Sequence, residues 1–239
     1  MSKLILIGGG GHCKSVLDAA LRSGRFNEIV ITDPVITAGS TILGCKVVGT
    51  DDMLPVMLRE GFTQAFVTVG SIQSYAVRKK LVQLAEQIGL TFPVIADPSA
   101  VISKFANIGQ GTFIGKNAVV NSGTIVGQHC IVNTGAILEH DCRIGNFCHV
   151  SVGSILCGGV TLGNGVFVGA GSTVIQMVNI ASDAMIGAHS TILTDVGEKM
   201  KLNGIVKLMV EKSKRGGYNV SFLLAQVSFS LQFAKQEAA

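Results

Sequence analysis

Every sixth residue from Ile102 to Ile192 is Ile, Leu or Val, sixteen positions in a row without an insertion. Chance does not produce such a run. The residue two before each is usually small, as in Ala106, Thr112, Ala118 and Ser154, and the residue after it is often Gly or Asn, as in Gly109, Asn121 and Gly163. This pattern fits a triangular prism. The aliphatic and the small residue point inward, and Gly or Asn tolerates the unusual dihedrals of the corners. Three hexads close one coil, and coils stack at the interstrand spacing of about 4.8 Å. One coil cannot bury its own face, so several are needed, and the repeat supplies just over five. The repeat alone does not give the handedness, since parallel crossovers are nearly always right-handed. Cys130, Cys142 and Cys148 fall at the small inward position, where reduced buried thiols are expected.

Composition agrees with stacked strands and tight corners: 30 glycines, no Trp and only 14% charged residues. The net charge of +4 is mild, and its Lys and Arg are scattered apart from Lys212, Lys214 and Arg215, which gives no nucleic-acid surface. No basic segment followed by an apolar one precedes the first strand, so no signal peptide is expected. The longest apolar stretch, Val220–Phe233, is interrupted by polar residues and too short to span a bilayer. A soluble, cytoplasmic protein is expected. The six cysteines have no C-x-x-C pairing, so no metal is expected.

Residues 1–95 read differently. Lys3–Ile7 is an apolar run ending in four glycines, Gly8 to Gly11, and Val16, Leu17, Ala20 and Leu21 then recur at helical spacing. Further strands are expected at Glu28–Thr32 and Gln64–Val69. A helix is expected near Ser74–Ile88, with Val77, Leu81, Leu84 and Ile88 on one face. Alternating strands and helices imply a small Rossmann-like parallel sheet with a ligand crevice at the strand C-termini. The glycines allow backbone N–H groups to approach a phosphate. Gly8 and Gly10 fit G-x-G, but Cys13 stands at the third glycine position, so a mononucleotide or nucleotide-sugar suits the domain better than NAD. Asp33 lies where a ribose-binding acid would sit. A third segment, 201–239, has no repeat; its Val220–Phe233 stretch is apolar enough to dock or to cap the prism.

Two residues on the prism are not required by the repeat. His140 and Asp141 occupy outward corner positions, and an acid beside an outward His can fix its tautomer and raise its basicity. His129 and His189 are also outward, without an acidic neighbour in the pattern. Cys157 stands at a corner near the same edge.

The segments LILIGGGGHCKSVLD, VTVGSIQSYAVRKKL (with Gly70 and Arg78), ADPSAVIS and ILEHDCRIGNFCHVSVGSILCGGVTLGNGVFVGAGSTV together resemble the PglD/NeuD-type sugar acyltransferases over about residues 3–200. The resemblance implies a left-handed β-helix over 96–200 and a trimer with an active site between neighbouring prisms. It also implies acetyl-CoA along the prism edge and a nucleotide-sugar held by the N-terminal domain. His140 corresponds to the general base and Asp141 to its acidic partner. His149, Gly158, Ala170 and Ala188 match cofactor-contacting positions along one track. Gly8, Gly10, His12, Asp33 and Gly70 match the nucleotide-facing edge, although Pro34 replaces a second acid and puts uridine recognition in doubt. After the last coil, Leu202–Val206 departs from the usual turn. The reaction so implied is acetylation of the amine of a UDP-linked amino-deoxy-sugar. O-acetylation of a sialic acid or related hydroxyl is the first alternative, and a non-catalytic nucleotide-binding scaffold the second.

Overall fold

A computed structural model describes residues 2–72, 74–202, 208–212 and 218–222. The N-terminal part runs β1 (Ser2–Ile7), α1 (Gly11–Ser23), β2 (Phe26–Thr32), β3 (Thr41–Ile42), β4 (Cys45–Gly49), α2 (Leu54–Arg59), β5 (Gln64–Val67) and α3 (Ala76–Ile88). The sheet order is β3-β4-β2-β1-β5, parallel except for the β3 edge. Central β1 is covered on both faces, so its alternate residues serve two cores. Leu4 and Leu6 pack with Val16, Leu17 and Ala20 of α1, whereas Ile5 and Ile7 pack with Leu54 of α2 and Val82 and Ala85 of α3.

Helix α3 differs from the sequence expectation. It starts two residues later, and Val77 and Leu84 are exposed. Its buried line is Arg78, Val82 and Ala85, with Leu81 and Ile88 only partly buried. Hydropathy discounts an arginine as a core residue, so the face appeared rotated.

The prism is a left-handed parallel β-helix. Its sixteen two-residue strands run from Val101–Ile102 to Thr191–Ile192. Each pairs with the strand one coil on, Val119 with Ile137 and Ile131 with His149. The short strands Ile95–Ala96 (β6) and Lys201–Leu202 extend the first of its three faces at either end. That first face carries Phe113, Ile131, His149 and Phe167 outward; the second starts from Val101 and the third from Asn107. The aliphatic residues form one continuous core. The small inward residues contribute hydrogen bonds as well as space: Thr112, Ser154 and Ser172 hydroxyls each donate to a corner carbonyl of the next coil at 2.8 Å. Cys130 and Cys148 do the same with their thiols at 3.0 Å, to Gly145 and Gly163. All six cysteines are free, and these buried ones act as hydroxyl substitutes.

The N-terminal domain covers the first face. Phe113 and Ile131 complete the α1 core, and Arg22 pairs with the buried carboxylate of Asp97 at 2.9 Å. Beyond the prism, Leu208–Lys212 and Tyr218–Phe222 pair antiparallel. Val220–Phe233 falls outside the described residues from 223 onward.

Candidate active site

His140 and Asp141 stand on the edge between the second and third faces, opposite the face that carries the N-terminal domain. Asp141 adopts a left-handed backbone (φ 61°), a conformation that Asp tolerates better than most residues. The turn it makes brings its Oδ2 to 2.9 Å from His140 Nδ1. Glu139 Oε2 accepts from the His140 backbone N–H (3.2 Å) and from Asn121 Nδ2 (3.0 Å), which anchors the corner from below. The imidazole is largely exposed. The hydrogen bond to Asp141 raises its pKa above 6.5, desolvation opposes the rise, and the Asp141 and Glu139 charges add to it. With Nδ1 committed to Asp141, Nε2 is the nitrogen free to exchange a proton.

Gly158 lies one coil further on. A Cβ there would stand 2.6 Å from Cε1 and Nε2 of His140, so glycine is needed for the ring to lie where it does. The Gly158 carbonyl accepts from Met177 N–H (3.0 Å), while its own N–H has no protein partner among the described residues. His140, Asp141, Cys157, Gly158, Gly159, Gln176 and Met177 line a cleft of about 420 Å³. An imidazole, the carboxylate bonded to it and an uncommitted backbone donor thus share one open cleft. That is the equipment for attack on a polarised carbonyl.

The other positions expected to contact the cofactor are not on this edge. Ala170 and Ala188 lie on the edge between the first and second faces with Gly171 and His189, which corrects the expectation of one track running on from Gly158. The reason is arithmetic: Ala170 is twelve residues past Gly158, two-thirds of a coil, whereas Gln176 and Met177 occupy the next coil above Gly158 and Gly159. His149 is on the first face and nearly buried. Its Nδ1 donates to Ser71 O at 2.8 Å, and Asn133 Nδ2 lies 3.3 Å from Nε2. Burial lowers its pKa, the Ser71 bond opposes this, and the Arg78 charge lowers it further. His129, which also points out of the prism, is buried beneath the N-terminal domain, stacked on Phe147 and edge-on to Phe92.

In the N-terminal crevice, Gly8 (φ 104°) is held under Val69, while Gly10 and Gly70 face open space. Gly10 precedes the first turn of α1, which has no acidic residue, so free N–H groups point outward there. His12 turns inward instead, edge-on to Phe113. Burial, then the Arg78 and His149 charges, lower its pKa to about 3. The Asp33 carboxylate is engaged by its own loop, accepting from Gly9 (2.7 Å), Val35 (2.9 Å) and Ile36 (3.0 Å) N–H groups. Desolvation would raise its pKa, but the three bonds together hold it below the ordinary carboxylate value.

Sequence reasoning missed a second cleft, of about 250 Å³, where Ser71, Ser74 and Tyr75 of the N-terminal domain meet Phe147, His149 and Asp183 of the prism. Tyr75 stacks on Phe147 with ring centroids 5.3 Å apart and fills the notch left by Gly165.

Comparison with known proteins agrees with both halves of the chain. Residues 3–85 match the PglD N-terminal domain, and residues 105–140 match the bacterial transferase hexapeptide family. The acetyltransferase domain of PglB from Neisseria gonorrhoeae is 34% identical with a TM-score of 0.77, covering 84% of this chain and 96% of that one. The chain belongs to the PglD-type acetyltransferases. A second PglD-type neighbour is the perosamine N-acetyltransferase of Caulobacter crescentus, solved with CoA and GDP-perosamine. It is 33% identical with a TM-score of 0.77, and the match covers 84% of this chain and 93% of that one. The PglB domain has also been solved with acetyl coenzyme A. A search of curated protein sequences found no match. Among the described residues no helix is long and apolar enough to cross a membrane.

Proposed function

We propose that this protein transfers an acetyl group from acetyl-CoA to the amine of a nucleotide-linked amino sugar. The observation that carries the reading is the His140–Asp141 pair lying over Gly158 in an open cleft. His140 Nε2 accepts a proton from the attacking amine as nitrogen bonds to the thioester carbon. Asp141 holds the Nδ1 proton and stabilises the imidazolium. The Gly158 N–H receives the developing oxyanion, the C–S bond breaks, and the thiolate leaves with the proton from His140. The relatives solved with CoA, acetyl-CoA and GDP-perosamine support both substrates. The sequence pointed to uridine, whereas that relative's acceptor is a guanosine nucleotide, so the assay includes both.

The division of labour follows: residues 1–95 hold the nucleotide-sugar and 96–200 hold acetyl-CoA and the base. A homotrimer is part of the proposal. Within one chain the acceptor crevice and His140 lie on opposite sides of the prism, so each crevice works with a neighbour's His140 edge. The cytoplasm, where thiols stay reduced, suits the buried cysteines. A thiol-release assay with acetyl-CoA against UDP- and GDP-linked amino sugars and sialic acid tests the reading. Turnover is expected with an amino sugar. Turnover with sialic acid alone would replace it by O-acetylation, and no thiol release with any of the acceptors would leave only the scaffold.

A further inference from the structure

Among the described left-handed corner positions of the prism that are not glycine, Met177 is the only aliphatic one. Its φ is 62° and it is 72% exposed. The other such positions carry Asn117, His129, Asp141, Asp183, His189 and Lys199, and the aromatic Phe147 is stacked between His129 and Tyr75. A bulky residue with positive φ is strained, and strain that the fold does not use points to function. The Met177 side chain bends back over Gly159, with its sulfur where a Cβ on that glycine would stand. Gly158 and Gly159 therefore cut a slot into the edge, floored by the His140 ring and roofed by the Met177 thioether. The ring reaches this corner from the coil below and the thioether from the coil above, and both line the same cleft. An acyl group held at this corner therefore meets the ring on one side and the thioether on the other.

We propose that Met177 sets the length of the acyl group, accepting acetyl and rejecting longer chains. This rests on the acyl transfer at His140 argued above. The test is kcat/KM for acetyl-, propionyl- and butyryl-CoA with a nucleotide-linked amino sugar, for the wild type, Met177→Ala and Met177→Asn; Asn suits the left-handed corner and guards against a folding defect. A methylene that meets a wall costs on the order of tenfold or more. The wild type is expected to lose about that much from acetyl to propionyl, and both variants to raise the propionyl-to-acetyl ratio by about the same factor. The ratio is the readout because a common loss of activity cancels from it. An unchanged ratio, or a parallel rise of KM for every acyl-CoA, would overturn the inference, the latter placing Met177 against the carrier arm instead. Absence of any acetyl-CoA turnover by the wild type would overturn the functional reading and this inference with it; turnover with an unchanged ratio removes only this one.

Discussion

His140 works as a base only when neutral, and its surroundings favour the charged ring. Because the hydrogen bond to Asp141 raises its pKa above 6.5, kcat/KM is expected to fall on the acid side with a midpoint above that value. Asp141→Asn should move the midpoint down and cost less than loss of the ring. His140→Ala should lower kcat by about 10²–10⁴-fold. Its melting curve should stay within about 0.5 kcal/mol of the wild type, since the side chain is outward and exposed. Raising the pH should partly rescue this variant if the acceptor is an amine, and hardly at all for a hydroxyl. Wild-type rates from His140→Ala would remove the residue from the mechanism. Gly158→Ala tests the geometry from the other side. Its methyl would sit 2.6 Å from the imidazole, so the ring must move, with a loss of up to about 10²-fold in kcat and little change in fold.

The elements differ in how openly the sequence announces them. The prism was legible because each inward aliphatic residue recurs at a fixed interval whatever packs outside. The His140–Asp141 pair was legible because the repeat does not require it. Gln176 and Met177 were within reach too, by adding one coil to Gly158 and Gly159. What could not be read is set by contact between elements. His129 and His149 point out of the prism and are buried only because the N-terminal domain covers the first face. Arg78, 2% exposed, is buried because its guanidinium donates to Val69 O (3.0 Å) and His129 O (2.7 Å), joining the two domains. Burial brings its pKa down to about 10. Asp33 looked like a ligand-binding acid but ties β1's glycine turn to the loop after β2. Asp33→Ala should therefore destabilise the chain by about 1 kcal/mol as well as raise the KM for the nucleotide-sugar. A change in KM with an unaltered melting curve would return the carboxylate to a purely ligand-binding role.

At the scale of the whole molecule, the stability of the fold is expected to depend on pH. His129, with its pKa lowered to about 4 by burial and by Arg78, and His12, at about 3, remain neutral in the folded state. The unfolded chain takes up their protons near pH 6.5, so this stability is complete above 6.5 and is lost progressively as pH falls towards 4. The melting temperature is expected to drop over that window. His129→Phe, which keeps the stack on Phe147 and removes a buried nitrogen with no partner, should flatten the slope. An unchanged slope would mean that His129 binds its proton equally in the folded and unfolded chains. The assembly gives the more decisive test. If each site joins one chain's His140 edge to a neighbour's N-terminal crevice, two inactive variants should complement each other. His140→Ala removes the base. Gly10→Tyr fills the crevice mouth, where the glycine has an ordinary φ of −72° and open space around it. Each alone should be nearly inactive. Co-expressed in equal amounts, they should recover about a quarter of wild-type activity, the statistical share of interfaces that pair an intact edge with an intact crevice. A site built within one chain would recover none, because every chain would carry one lesion.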